Sequence, residues 1–455
     1  MKKLEDIDRI YFIGIGGIGM SALARYFRFH GKKVSGYDKT DTVLTKELVK
    51  EGIPVHYEDN PEEAPKDAQL IVYTPAIPGT HRELAFYKKN DYTLVKRSEV
   101  LGMITNSSFN ICVAGTHGKT TISTLVAHLL RHSGYGCNAF LGGISVNYQS
   151  NYWSNERNVC VVEADEYDRS FLRLSPNIAV ISAMDPDHLD IYGTAEVMEE
   201  AFIEFSGRLK DGGRLFYKHG LKRASDLKAQ LKQSYSLDDE NADYHAGSLK
   251  EINGGYLFDI VSADWKLEKV ALNMGGLHNV ENTIVAAAIA HELGIEDEKI
   301  SAAVAAFKGV KRRFEYIVRS ANWVMVDDYA HHPEELRALI TSAKRLFPDR
   351  RCTVIFQPHL FTRTRDLADG FAESLDLADE TLLLPIYPAR ELPIEGVSNK
   401  MIFDRMKIRD KRMMNKQEVL DYVDTLDGGP RLLITAGAGD IDQLVEPLGK
   451  KLVNK

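Results

Sequence analysis

Cysteine is scarce in this 455-residue sequence, which contains only Cys112, Cys137, Cys160 and Cys352. The four lie far apart and form no C-x-x-C pair, so neither a disulfide framework nor a cysteine zinc site is indicated. We therefore expect four buried thiols.

Long apolar runs and an excess of basic charge are also missing. No stretch approaches the ~20 consecutive apolar residues that a membrane helix needs. The N-terminal segment reaches acidic residues where the apolar region of a signal peptide would lie, which predicts a cytoplasmic protein without membrane insertion. Lys and Arg number 57 against 65 Asp and Glu, a net charge of −8, so we expect no nucleic-acid partner.

The composition that remains, 44% hydrophobic and 27% charged residues, is typical of a globular protein. At roughly 150 residues per domain, the length suggests about three domains. Short β-branched runs alternate with stretches of helical period, which predicts an α/β fold with parallel sheets. We place the boundaries to give segments 1–106, 107–314 and 315–455, and we predict a hairpin turn at Gly254-Gly255.

The first motif is G-x-G-x-x-G, formed by Gly14, Gly16 and Gly19 between a predicted strand and helix. Such glycines let the backbone approach a diphosphate at the helix N-terminus, and Asp38, which closes the next strand, is placed to accept from a ribose hydroxyl. The alternative is that the glycines only permit close packing of strand and helix. The motif does not identify which diphosphate is bound.

The second motif is the string AGTHGKTT at 114–121, again between an apolar strand and a helix. A phosphate loop needs backbone N–H groups, a lysine for the phosphates and a hydroxyl for Mg²⁺, and Gly118, Lys119 and Thr120 supply them. The strict spacing would place the first glycine at 113, which is Val, with Gly115 present instead. The alternative is a glycine-rich turn before a basic helix.

Acidic and imidazole side chains follow the next two apolar strands. Glu163 ends the strand predicted at 159–163, where a carboxylate is placed to hold Mg²⁺ directly or through water. We interpret Asp165 and Glu166 as surface acids. His188 follows the strand at 177–183 and is either a metal ligand or a polar loop residue.

Polar residues after position 278 form three further candidate groups. Asn279 and Asn282 lie three apart on one helical face and either contact an adenine edge or serve as an N-cap and a buried amide. Arg312 and Arg313 are either a phosphate clamp or solvated charges. The string DDYAHHP at 327–333 ends a predicted strand with a density of acids, phenol and imidazoles that suggests a site.

Taken together, these ordered motifs resemble the Mur ligase family over nearly the whole chain. The strings that carry the resemblance are GIGGIGMS at 14–21, GTHGKTT at 115–121, EADE at 163–166, HNVEN at 278–282, RRF at 312–314, DDYAHHP at 327–333 and QPHLFTRTR at 357–365. The resemblance implies three α/β domains: a Rossmann-like N-terminal domain for a UDP-sugar, a central P-loop ATPase domain with a parallel sheet, and a Rossmann-like C-terminal domain.

The activity implied is an ATP- and Mg²⁺-dependent amide-bond ligation in peptidoglycan precursor synthesis. It joins L-alanine to the carboxylate of UDP-N-acetylmuramate through an acyl phosphate, in a monomer or homodimer. A close alternative is ligation of a recycled tripeptide to the same sugar nucleotide, since the string EADEYD, with Tyr167, also occurs in that branch. Alternatives from other classes are an NAD-dependent dehydrogenase and a nucleotide-gated binding protein.

The resemblance also implies roles by position, with Leu360 standing where many members have Arg. Residues implied to bind ATP are Gly115, Thr116, His117, Gly118, Lys119, Thr120, Thr121, Asn279, Asn282, Arg313 and Asp328. Residues implied to bind the substrates are Gly14, Gly16, Gly17, Gly19, Asp38, Thr74, Ala76, His332, His359 and Arg363. The implied metal ligands are Thr120, Glu163 and His188, and the implied catalytic residues are Lys119, Glu163, His188 and Arg313.

Overall fold

The computed structural model describes residues 4–187, 189–389, 391–426 and 429–453. The strands form three sheets of five, ten and six strands. By compactness the chain divides into two units, the first comprising 1–246, 260–267 and 281–304, and the second comprising 247–259, 268–280 and 305–455. No helix in the described ranges is long and apolar enough to cross a membrane.

The first sheet is parallel and has the order β3-β2-β1-β4-β5. Its strands are β1 (Arg9–Ile13), β2 (Lys33–Tyr37), β3 (Val55–His56), β4 (Leu70–Tyr73) and β5 (Leu94–Lys96), with helices α1 (Ile18–Phe29), α2 (Val43–Lys50), α3 (Arg82–Lys89) and α4 (Arg97–Ser107). The strand order reverses between β1 and β4, which is where open α/β sheets bind ligands.

The second sheet has the order β15-β14-β13-β12-β11-β10-β6-β9-β7-β8. Its strands are β6 (Phe109–Ala114), β7 (Asn138–Ser145), β8 (Ser150–Trp153), β9 (Val159–Glu163), β10 (Ile178–Ile181), β11 (Arg214–Lys218), β12 (Leu231–Ser236), β13 (Tyr244–Ile252), β14 (Gly255–Val261) and β15 (Lys266–Leu272). Its helices are α5 (Lys119–His132), α6 (Leu189–Tyr192), α7 (Ala195–Ser206), α8 (Leu277–Glu292) and α9 (Asp297–Ala306). Because β6 pairs in parallel with both β9 and β10, the loops that follow these three strands meet at one edge.

The third sheet has the order β16-β17-β21-β18-β19-β20, in which only the edge strand β16 is antiparallel. Its strands are β16 (Glu315–Arg319), β17 (Trp323–Asp328), β18 (Arg351–Phe356), β19 (Glu380–Leu383), β20 (Lys411–Met413) and β21 (Arg431–Ala436). Its helices are α10 (Pro333–Leu346), α11 (Phe361–Leu375), α12 (Lys400–Arg405), α13 (Lys416–Thr425) and α14 (Val445–Val453). Separate apolar clusters lie on its two faces, one with Val326 and Phe371 and one with Met325 and Leu448.

The predicted α/β class and parallel sheets are confirmed, and all four cysteines are buried and free as expected. The hairpin turn was predicted one residue too late. Asn253 and Gly254 connect β13 to β14, and Gly255 already belongs to the strand. Both turn residues have positive φ, 45° and 72°, which is the conformation that an Asn-Gly pair adopts readily in a two-residue hairpin.

Candidate active site

The glycine turn after β1 is fastened to the end of β2. The backbone N–H groups of Gly14 and Ile15 donate to Tyr37 O at 2.8 and 2.9 Å, and that of Gly16 donates to Asp38 Oδ2 at 2.7 Å. A Cβ on Gly16 would lie 2.8 Å from the same Asp38 oxygen, so a larger residue there would displace the Asp38 carboxylate. Asp38 thus holds the turn itself, and its contact with a ribose stays a prediction.

A cavity of about 370 Å³ lies beside this turn within the first unit. Predicted substrate residues line it from both sides of the switch point: Gly17, Gly19, Thr74 and Ala76. The lining also includes Arg97, Gly142, Glu163 and Asp165. The fold therefore brings the glycine turn of the first sheet and the acidic strand end of the second sheet to one cavity.

The loop between β6 and α5 has the backbone of a phosphate cradle. Gly115 and Gly118 have φ of +131° and +81°, and Gly118 N-caps α5 without a side-chain cap. The first N–H groups of a 14-residue helix therefore remain available to an anion. Thr116 is anchored to the loop after β10, since its N–H donates to Ala183 O at 3.1 Å. Asn282 lies beside Gly118, where an added Cβ would be 3.1 Å from its Oδ1.

The remaining loop side chains lie around this cradle. His117 is exposed, 3.7 Å from an oxygen of Asp185, and Thr121 is buried in the first turn of α5. Lys119 forms an ion pair of 2.7 Å with Glu166 Oε1 and also donates to Gly115 O at 2.7 Å.

Glu166 was predicted to be a surface acid, and this prediction was wrong. The side chain has no exposed area, because the chain after β9 turns inward and Tyr192 donates its hydroxyl to Glu166 O at 2.6 Å. Oε1 accepts from Lys119, whereas the buried Oε2 has no hydrogen-bond partner among the described residues. Burial raises the pKa of Glu166, and the Lys119 ammonium opposes that shift.

Glu163 is tied to α5 and to β7. Its Oε1 accepts from Thr120 Oγ1 at 3.0 Å, and its Oε2 accepts from Gly142 N at 2.9 Å. Burial raises the pKa of this carboxyl group. Neighbouring oxygens on an octahedral Mg²⁺ with bonds of 2.0–2.1 Å lie ~2.9 Å apart, so the Thr120 and Glu163 oxygens suit one such ion. His188 lies outside the described residues, and within those residues no cluster of three His, Cys, Asp or Glu side chains is suited to a metal.

The second unit contains the remaining predicted ATP-side residues. Asn279 is buried and donates to Gly275 O at 2.7 Å. Asp328 accepts from Phe314 N and Ala330 N, both at 2.7 Å, and burial raises its pKa to about 6. Arg313 is exposed.

Arg312, by contrast, is engaged inside the second unit. Its guanidinium donates to the carbonyl groups of Gly437 and Gly439, and its Nε lies 3.4 Å from Asp327 Oδ2. These contacts hold the segment before β16 against the carboxyl end of β21. They leave Arg313 as the exposed member of the arginine pair.

A group of imidazoles and a guanidinium lies at the carboxyl ends of β17 and β18. His332 is exposed at the N-cap of α10, and His331 is half-buried beside His359, with ring centres 6.3 Å apart. The pKa of His359 is lowered by burial and then by the charge of Arg363. Two buried nitrogens, His359 Nδ1 and Arg363 Nη1, have no hydrogen-bond partner among the described residues.

Three family profiles match the chain in succession. The Mur ligase family catalytic domain matches residues 9–108, the Mur ligase middle domain matches 113–290, and the Mur ligase glutamate ligase domain matches 312–441. The chain belongs to the Mur ligase family.

Among Mur ligases, it is similar to enzymes named UDP-N-acetylmuramate–L-alanine ligase. That of Parabacteroides distasonis is 48% identical over 452 residues, which cover 98% of this chain and 97% of the relative. That of Flavobacterium johnsoniae is 44% identical over 457 residues, covering 100% and 99%. The crystal structure of the UDP-N-acetylmuramate-alanine ligase of Thermotoga maritima matches with a TM-score of 0.82 at 27% identity, covering 98% of this chain and 100% of that one.

Two residues of this Mur ligase site were missed in the sequence. Glu166 belongs to the string EADE, whose three acids indicate an acidic site. The sequence does not show which of the three is buried. Arg97 lines the cavity from the junction of β5 and α4. Its position directly after a short apolar strand was the available signal, since ligand-binding residues follow the strands of open sheets.

We expect Gly115→Ala to destabilise the protein by about 2–4 kcal/mol and to abolish ATP binding. A Cβ there would overlap Ser182 Oγ and lie 2.8 Å from Ala183 N, at a φ of +131° that L residues rarely adopt. Gly294→Ala is the control for backbone strain alone, because its φ is +74° and nothing lies within 4 Å of the added Cβ. Thermal unfolding and nucleotide titration compare the two. Equal losses in both variants would contradict the steric argument.

Asp327 is predicted to make the stability of this Mur ligase fall as the pH rises. The side chain is 1% exposed, and burial raises its pKa to about 7, although Thr435 donates to it at 2.6 Å. The unfolded value is about 3.9, so between pH 4 and 7 the folded state retains a proton that the unfolded state releases. Stability contributed by the protonated form is present below pH 4 and is lost as the pH rises through 7.

From pH 5 to 7.5 the Tm of the native protein is therefore expected to fall by about 2–6 °C more than that of Asp327→Asn. Asp349→Asn, at an exposed position in the same unit, is the matched control and keeps the native pH dependence. Parallel Tm profiles for the native protein and Asp327→Asn would show that Asp327 does not carry this dependence.

Proposed function

We propose that this chain joins L-alanine to the carboxylate of UDP-N-acetylmuramate, with ATP converted to ADP and phosphate, in the synthesis of the peptidoglycan precursor. The observation that carries the proposal is the shared cavity, where the glycine turn meets Glu163 beside the phosphate loop. Full-length relatives at 44% and 48% identity bear the name of this activity. The enzyme acts in the cytoplasm as a monomer or homodimer.

The chemistry follows from the low reactivity of a carboxylate. One carboxylate oxygen attacks the γ-phosphorus of ATP, ADP leaves, and the acyl phosphate now has a good leaving group. The amine of alanine attacks the acyl carbon, its extra proton is lost, and phosphate departs. Negative charge accumulates in both steps, so fixed positive charge lowers both barriers.

The first unit supplies the groups for phosphoryl transfer. Lys119 moves from Glu166 to the phosphates, and N–H groups at the start of α5 receive them. Thr120, Glu163 and His188 are the residues that would hold Mg²⁺. When bound, Mg²⁺ neutralises phosphate charge and orients the transferred group. Gly115, Thr116, His117, Thr121 and Asn282 complete the ATP side.

In this proposal Asn279, Arg313 and Asp328 bind ATP, and His359 with Arg363 bind the substrate carboxylates. His331 or His332 accepts the proton of the amine. Burial lowers the pKa of His331, so its imidazole is neutral at neutral pH and able to take a proton. In this proposal segment 1–106 binds the UDP-sugar and segment 107–314 binds ATP. Segment 315–455 is the C-terminal ligase domain.

The recycling of a tripeptide onto the same sugar nucleotide is the second candidate, favoured by Tyr167 after EADE. ADP release is measured with UDP-N-acetylmuramate and either L-alanine or the tripeptide, with each substrate omitted in turn. We expect release that requires both the sugar nucleotide and L-alanine. Release only with the tripeptide would overturn the proposal in favour of recycling. ADP release that requires neither substrate would exclude both ligases. Hydride transfer to or from NAD would instead favour the dehydrogenase.

A further inference from the structure

Arg97 lies in the first unit beside the candidate site, and no role has yet been assigned to it. It follows β5 directly and opens α4, at the edge of the first sheet where ligand-binding residues stand. The side chain is half-buried. Within the part of the chain that the structure describes, its guanidinium has neither an ion pair within 4.0 Å nor a hydrogen bond. A guanidinium in a cavity without a protein anion is able to pair with an anionic ligand, so the position of Arg97 makes it a candidate for such a contact.

The guanidinium of Arg97 occupies space that a glycine leaves open. A Cβ on Gly19 would lie 2.5 Å from Arg97 Nη1 and 3.2 Å from its Cδ. The last glycine of G-x-G-x-x-G usually permits packing between helix and strand. In this protein the space left by Gly19 is occupied instead by the charged side chain of Arg97, which extends over the start of α1.

The cavity beside this guanidinium is lined by more acidic than basic side chains. Two carboxylates, Glu163 and Asp165, line it, and Arg97 is the one Lys or Arg among its described lining residues. A smaller adjoining pocket brings Arg97, Glu163 and Asp165 together again, with Ser98 and Ser170. An anionic substrate that enters between these acids meets repulsion that Arg97 is placed to offset.

We propose, on the basis of the proposed function, that Arg97 binds the lactyl carboxylate of UDP-N-acetylmuramate, the group that ATP phosphorylates. The diphosphate has its own site at the glycine turn and the N-terminus of α1. Arg97 also lines the smaller pocket, which contains Glu163 and none of the glycine-turn residues, so the anion it holds lies on the side where phosphate is transferred. A guanidinium matches a carboxylate through two parallel N–H···O bonds, which fix the attacking oxygen.

The test compares two ligands by isothermal titration calorimetry. UDP-N-acetylmuramate carries the lactyl carboxylate, and UDP-N-acetylglucosamine lacks it. We expect Arg97→Met to weaken the first by about 10–100-fold and the second by less than about threefold, with Arg97→Lys between. An equal loss for both ligands, or no loss for either, overturns the inference. Failure of the native protein to bind UDP-N-acetylmuramate would instead overturn the proposed function.

A second variant keeps the test valid if Arg97→Met folds poorly, as judged by its Tm. Gly19→Ala displaces the guanidinium but retains the charge, and alanine is favourable within a helix. Because Gly19 also belongs to the turn that receives the diphosphate, we expect some loss for both ligands, with a further loss for UDP-N-acetylmuramate alone that matches the effect of Arg97→Met and is not repeated in the double variant. A further loss of UDP-N-acetylmuramate that adds to that of Arg97→Met would show that Gly19 and Arg97 act on different groups.

Discussion

Replacement of Lys119 by methionine is expected to lower kcat for ligation by at least about 10²–10³-fold, the usual effect of removing a group that stabilises transition-state charge. Lys119 Nζ lies 2.7 Å from Glu166 Oε1, at the base of the phosphate loop. Binding of UDP-N-acetylmuramate should remain within about threefold of native, since Lys119 does not line the sugar-nucleotide cavity.

The same substitution carries a stability effect that must be separated from catalysis. Without Lys119 the fully buried Glu166 has no counter-charge, and breaking such a pair costs about 3–5 kcal/mol. The double variant Lys119→Met/Glu166→Gln removes the stranded charge, so its Tm should recover while kcat stays low. Recovery of turnover in the double variant, or native kcat in the single one, would show that Lys119 does not act on the phosphates.

Glu163→Gln is expected to lower kcat by about 10²–10³-fold and to raise the Mg²⁺ concentration needed for half-maximal rate. Glutamine keeps the shape of the side chain but removes the charge, and its amide nitrogen cannot accept from Thr120 or Gly142, which now donate to the two carboxylate oxygens. Initial rates measured across a Mg²⁺ titration at saturating ATP give both values.

Asp165→Asn is the matched control, because Asp165 lines the same cavity but its Oδ1 accepts from the backbone of Tyr167 at 3.1 Å. It is expected to keep the native Mg²⁺ dependence, with a rate loss below about tenfold. If Asp165→Asn shifts the Mg²⁺ requirement and Glu163→Gln does not, the ligand is misassigned.

The strands and helices beside the motifs were predictable because they depend on residues close together in the sequence. The strand at 159–163 has the predicted bounds, and each glycine motif lies between a strand and a helix as predicted, since buried β-branched runs flank glycine turns. The parallel sheets that carry the turns follow from the same alternation.

The environments of single polar residues were not predictable, because residues distant in sequence create them. Glu166 is buried beneath Lys119 and Tyr192. Arg97 occupies space that is open because Gly19 has no side chain. The hairpin was misplaced by one position, since Asn253 also takes a positive φ. The three-segment division stays a prediction, and so do the roles of the site residues.

The most direct test of the account is oxygen transfer from the substrate carboxylate to phosphate. UDP-N-acetylmuramate labelled with oxygen-18 in its lactyl carboxylate is incubated with ATP, L-alanine and the native enzyme, and the released phosphate is analysed by mass spectrometry. An acyl phosphate at this site predicts one labelled oxygen in each phosphate formed, in step with ligated product. Product formed with unlabelled phosphate would contradict the central claim that ATP phosphorylates the carboxylate.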